Sequence, residues 1–205
     1  MSLYTPPSFA LSDQEQQGRL IRDYPFATFI TSLAGAEPHI SHLPLLLEAD
    51  GSLSGHLARA NPHWQAFAEG ETVAVFHGPH AYVSPRWYVH PEREVPTWNY
   101  AVVHVHGRPE LDEDAGFKLD LLDRSSAAFE PAVGGWTRQL DAARQNALLD
   151  AIVAFRLRPS RIEGKCKINQ NKTPADRAQV AAQLRASAHP ELLTMAAWME
   201  ALDVR

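Results

Sequence analysis

The stretch from Phe76 to Gly107, FHGPHAYVSPRWYVHPEREVPTWNYAVVHVHG, decides how the rest of the chain is read. Strand-like sequence flanks its middle: Thr72 to His77 on one side and Tyr100 to Arg108 on the other. Between them runs a polar, aromatic, Pro-interrupted loop with Ser84, Trp87, Trp98 and Asn99, and Trp64 stands just upstream. Flat aromatic faces beside hydrogen-bonding groups suit a planar, partly polar ligand. A Trp-rich core patch with surface His is the structural alternative. In Ala101 to Arg108, Val102, His104, His106 and Arg108 alternate with Ala101, Val103, Val105 and Gly107, the pattern of a half-buried strand.

Upstream, Pro6 and Pro7 keep the first residues extended. Ser12 followed by Glu15 predicts a helix that stops before Pro25. Phe26 to Leu33 and His39 to Leu47 read as strands, with Ser41 and Leu43 on one face and Ile40, His42 and Pro44 on the other. Asp50-Gly51 is a hairpin signal, returning the chain through Ser52 to Leu57. Asn61 then Pro62 predicts a capped helix that runs to Gly70.

Downstream, the spacing predicts helices over 112–129 and 140–149 and strands over 151–157 and 162–168. Thr173-Pro174 opens another helix to about Ser187, and a last one runs from Pro190 to about Leu202. About seven turn-linked strands without βαβ alternation favour an antiparallel barrel over a parallel sheet. The predicted class is α+β, in one domain over 1–205.

The chain has 205 residues, a net charge of −5 and a single cysteine, Cys166. One thiol excludes an internal disulfide and fits a reducing, cytoplasmic setting. No apolar run reaches the ~20 residues that span a bilayer, and the N-terminal residues lack a signal-peptide pattern. DNA stays open as a partner, but the net charge does not support it. The only basic stripe is local: Arg156, Arg158, Arg161, Lys165, Lys167, Lys172 and Arg177.

Nine of the ten His lie between His39 and His106. His104 and His106, two apart on one strand face, with His77 or His80 as a third ligand, are the metal or haem alternative. No HExxH and no nucleophile-elbow or phosphate-loop motif is present, so no metal ligand and no catalytic residue is assigned. Arg59 and Asn61, before a predicted helix start, form an anion-binding candidate. Lys165 and Lys167 form a second cationic pair. Cys166 points opposite to them and reads as a buried structural thiol.

Taken in order, YTPPSF, PFATFIT, SHLPLLL, GHLARANPHW, VFHGPHAYVSPRWY, VPTWNYAVVHVHG and IEGKCKINQNK resemble the PaiB family of FMN-binding split-barrel proteins, from Tyr4 to Lys172. The resemblance implies an antiparallel split β-barrel with flanking helices, a homodimer, FMN at each subunit interface, and a role as a negative transcriptional regulator. It places the phosphate contacts at Ser41, His42 and Leu43 and at Arg59, Asn61 and Pro62. It places the flavin contacts at Ser84, Trp87, Trp98 and Asn99, and late-strand contacts at Lys165, Lys167 and Gln170. The Arg-x-x-x-Leu-Lys motif of the related pyridoxamine-phosphate oxidases is replaced by SHLPLLLE. A small flavin-dependent oxidoreductase and a haem-binding split barrel are the alternatives that the wider group implies.

Overall fold

The computed structural model describes residues 3–187 and 189–202. Seven strands form one sheet in the order β2-β1-β5-β6-β7-β4-β3. They are β1 (Phe26–Ser32), β2 (His39–Pro44), β3 (Leu46–Leu47), β4 (Leu53–Ala58), β5 (Glu71–Val83), β6 (Thr97–Asp112) and β7 (Ile152–Lys167). The helices are α1 (Gln14–Asp23), α2 (Ala115–Phe129), α3 (Ala142–Asp150), α4 (Pro174–Arg185) and α5 (Pro190–Leu202). β1 pairs antiparallel with β2 and β5, and β4 pairs antiparallel with β3 and β7. Sheet, helices and class agree with the α+β reading.

The contacts group into two compact units, one of Met1–Tyr24, Phe76–His104 and Glu163–Arg205, the other of Pro25–Val75 and Val105–Ile162. In the second unit the inward faces of β1, β2, β4 and β7 bury Phe29, Leu43, Leu53 and Phe155. Phe29, Phe67 and Phe155 meet with ring centroids 5.2–5.8 Å apart. At the Asp50-Gly51 hairpin, Gly51 takes φ +83° and Asp50 Oδ1 accepts from the Ser52 amide and hydroxyl.

In the first unit α1, α4 and α5 bury Leu20, Leu184 and Met195. There Gly164 lets the N-terminal segment close on β7: a Cβ at that position would lie 2.4 Å from the Leu11 carbonyl oxygen. The Leu11 amide donates to the Gly164 carbonyl.

Several boundaries differ from the sequence expectation. Asp13, not Ser12, caps α1, its carboxylate accepting from the Gln16 amide. β5 and β6 run much further into the central stretch than expected, leaving only 84–96 between them. His77, His80 and Tyr82 face outward in β5 while Gly78, Ala81 and Val83 face inward. The strand period is there, but its outward residues are aromatic rather than simply polar. β7 is one continuous strand where two were expected.

The helix expected from Asn61 to Gly70 is a 3-10 turn, Pro62–Ala66. His63, Ala66 and Phe67 all enter the core there, and the tighter winding brings them in over one short turn.

Candidate functional site

Three inward-facing residues of the second unit are polar where a strand core calls for apolar ones: Thr31 on β1, Ser41 on β2 and Thr72 on β5. Register puts Thr31 opposite Thr72, and Phe29 opposite Ser41. His63, 1% exposed, enters among them from the 3-10 turn. Its Nε2 lies 2.8 Å from Thr31 Oγ1 and its Nδ1 2.8 Å from Ser41 Oγ. Thr31 Oγ1 lies 2.8 Å from Thr72 Oγ1.

Asn61 closes the chain outward. Its Nδ2 donates to Ser41 Oγ at 3.0 Å while its Oδ1 accepts from the His63 amide. A buried polar group left unpaired costs about 1–3 kcal/mol, so each member holds its neighbours in place. Burial, with the stacked His39 ring adding to it, lowers the His63 pKa from 6.5 to about 4, so the imidazole is neutral.

The other residues expected around this point are placed differently. Leu43 is core. His42 is exposed and stacks on Phe26. Pro62 opens the 3-10 turn, which is too short to act as a helix dipole. Arg59 turns its guanidinium onto the Asp150 and Ile152 carbonyls and the Glu113 carboxylate, at 2.7–2.8 Å. The structure thus gathers Ser41 and Asn61, and engages Arg59 at the α3–β7 junction.

In the first unit Trp98, 54% exposed, lies 5.8 Å from the His80 ring and 6.3 Å from the Tyr82 ring. Trp98 and His80 border an open cleft of about 380 Å³ that also includes His77 and Tyr100. Lys167 Nζ donates to the Trp98 carbonyl at 2.8 Å and to Thr97 Oγ1. Burial, then Lys165 and Lys172, hold its pKa below the ordinary lysine value. Lys165 is buried, donating to the Tyr4 carbonyl between the Tyr4 and Tyr100 rings. These are neighbours on one face of the late strand, as their spacing implies.

Asn99 is fully buried. Its Nδ2 lies 3.6 Å from Met199 Sδ, and its Oδ1 has no partner among the described residues. Ser84 accepts from the Arg86 amide, and Trp87 is half-buried. Their loop is anchored by Asp176, which accepts from the Val89 amide, and by Lys172, which pairs with Glu94. Gln170 lines a hollow of about 520 Å³ between α4 and α5 and donates to the Cys166 carbonyl. Cys166 is buried, which pushes its thiol up to about 12.

Reading the residues alone misses Thr31, Thr72 and His63, and with them Tyr82; His80 it weighed only as a metal or haem ligand. The available signal was the row of polar residues at inward strand positions. A phosphate accepts only, and Ser41 and Asn61 offer a hydroxyl and an amide. An isoalloxazine needs a flat apolar face, and the exposed Trp98 indole offers one.

Residues 3–161 match the model of the family described as "Putative FMN-binding domain". The chain is 32% identical over 205 residues to the protease synthase and sporulation protein PAI 2 of Bacillus subtilis, covering 97% of each chain. Among solved structures it is similar to the flavocytochrome Anf3 of Azotobacter vinelandii, with TM-score 0.63 and 19% identity over 78% of this chain and 69% of that one. It is also similar to the FAD and heme binding protein of Mycobacterium smegmatis, with TM-score 0.63 and 18% identity over 83% and 78%. At such identities the structures speak for the fold alone, the split barrel of flavin- and haem-binding proteins. With the family match and the Bacillus relative added, the chain belongs to the PaiB-like family of FMN-binding split-barrel proteins, and FMN is its cofactor.

Proposed function

We propose that residues 1–205 work as one FMN-binding domain in a cytoplasmic homodimeric regulator, with the flavin phosphate at Ser41 and Asn61 and with Trp98 of either protomer as a ring contact. The observation that carries this reading is the Ser41–Asn61 pair: two neutral donors 3.0 Å apart, backed by a buried imidazole. The regulatory role is supported by likeness to a Bacillus protein named for protease synthesis and sporulation. The dimer is supported by the exposed Trp98 and Tyr82 beside an open cleft, an apolar face that a second copy would cover. Bound FMN supplies a ring that exchanges one or two electrons. The protein's own part is to hold the phosphate, present the aromatic face, and set the Lys165 and Lys167 charges nearby on β7.

Calorimetric titration with FMN and with riboflavin tests the assignment. Hydrogen bonds to a charged phosphate contribute about 1.5–3 kcal/mol each. Asn61→Ala should therefore weaken FMN by about tenfold to a hundredfold and leave riboflavin unchanged. Equal losses for both ligands would remove the phosphate from this place. Sedimentation of the flavin-bound protein should show a dimer at micromolar concentration, and a flavin-bound monomer would refute the interface.

A further inference from the structure

The Thr72–Thr31–His63–Ser41–Asn61 chain has a property that its individual bonds do not show. Its central imidazole is buried and neutral, so it carries one N–H for two partners. Both partners are hydroxyls, each able to donate or accept. Two arrangements satisfy the chain. In one, His63 Nε2–H donates to Thr31, and Ser41 turns its only proton inward onto Nδ1. In the other, Nδ1–H donates to Ser41, Thr31 donates to Nε2, and Thr72 donates to Thr31. Only the second arrangement releases the Ser41 hydroxyl proton to a ligand. In both, Asn61 Nδ2 donates to Ser41 Oγ, and the Asn61 amide is held in place by the His63 backbone N–H.

We propose that His63 is a positioning residue for the bound anion: it shifts its proton from Nε2 to Nδ1 when a phosphate binds, and so converts Ser41 from an inward donor into an outward one. The threonines take part although they touch no ligand, because Thr31 must donate to Nε2 for the shift to occur. Thr31 and Thr72 are both almost fully buried, so water cannot take over their donor role. The inference rests on the assignment of the FMN phosphate to Ser41 and Asn61, and it adds the mechanism by which that site becomes a donor.

Three variants and one spectrum test it. Thr31→Val keeps the shape and the methyl groups but removes the donor to Nε2. It should weaken FMN by about fivefold to tenfold, the effect of one neutral hydrogen bond, and leave riboflavin unchanged. Thr31→Ser restores the hydroxyl and should recover most of the loss. Ser41→Ala should weaken FMN about tenfold or more. In the wild-type protein, the ring ¹⁵N resonances of His63 should report the Nε2–H form without ligand. They should report the Nδ1–H form with FMN, and the Nε2–H form again with riboflavin.

If Ser41→Ala weakens FMN while Thr31→Val does not, or while His63 keeps its Nε2–H form, the relay is wrong and the phosphate site stands. If Ser41→Ala leaves FMN affinity unchanged, both are wrong. A Thr31→Val loss shared equally by riboflavin, or not recovered by Thr31→Ser, marks a packing defect and overturns the relay.

Discussion

Arg59 Nη2 lies 2.8 Å from the Ile152 carbonyl oxygen, tying the end of β4 to the start of β7. Its Nε reaches the Asp150 carbonyl and its other contact is Glu113, so the guanidinium clamps the end of α3. Arg59→Ala should therefore act on stability. The group is partly exposed, which discounts its ion pair, and a loss of about 1–2 kcal/mol is expected. Urea denaturation should show the lower midpoint, with FMN affinity changed less than about threefold. A tenfold loss of FMN with unaltered stability would return Arg59 to the phosphate site.

The neutral His63 makes a pH prediction. Its folded pKa is about 4 and its unfolded value near 6.5. Between these values the unfolded chain binds a proton that the folded one does not, so stability falls as pH falls through this window. At ~1.4 kcal/mol per pH unit the loss reaches at most about 3 kcal/mol near pH 4. His63→Gln should be less stable at pH 7 yet show a flatter profile between pH 6.5 and 4.5, measured by urea midpoints. Parallel profiles for the two proteins would mean that His63 titrates normally in the fold.

The proposed ring contact of Trp98 gives a test that separates the two ends of the ligand. Aromatic stacking contributes about 0.5–1.5 kcal/mol beyond area burial. Trp98→Ala should weaken FMN and riboflavin alike, by roughly threefold to tenfold, because both carry the ring. Fluorescence titration with both ligands checks this. A selective loss of FMN would place Trp98 at the phosphate end.

The basic stripe is largely neutralised by its neighbours. Arg158 pairs with Glu110, and Lys172 with Glu94. Arg156 lies 3.6 Å from Asp112 and its guanidinium sits 4.1 Å over the Phe117 ring. Non-specific DNA affinity depends on cations that displace counterions, so bare duplex should not bind at ~150 mM salt. Replacing Arg156, Arg158 and Arg161 by Ala should leave FMN affinity unchanged. A promoter footprint lost in this variant, with the salt slope falling by about 0.9 per missing contact, would reverse the reading.

Local chemistry alone determined much of the architecture. Alternation marked β6, Asp50-Gly51 marked the hairpin between β3 and β4, and Thr173-Pro174 marked the start of α4, because these features depend on nearby backbone geometry. The ordered family stretches determined the barrel and the flavin. Tertiary structure decided what periodicity does not encode. Asn61-Pro62 is a sound helix start by propensity, yet the need to bury His63, Ala66 and Phe67 together turned it into a 3-10 turn. Arg59 and Asn61, two residues apart, were separated in role because carbonyls 91 and 93 residues away captured the guanidinium. Thr31, Ser41, His63 and Thr72 look unremarkable in a linear chain. They become one hydrogen-bonded unit only when three strands and a turn converge, since a buried polar group must find its partners wherever the fold supplies them.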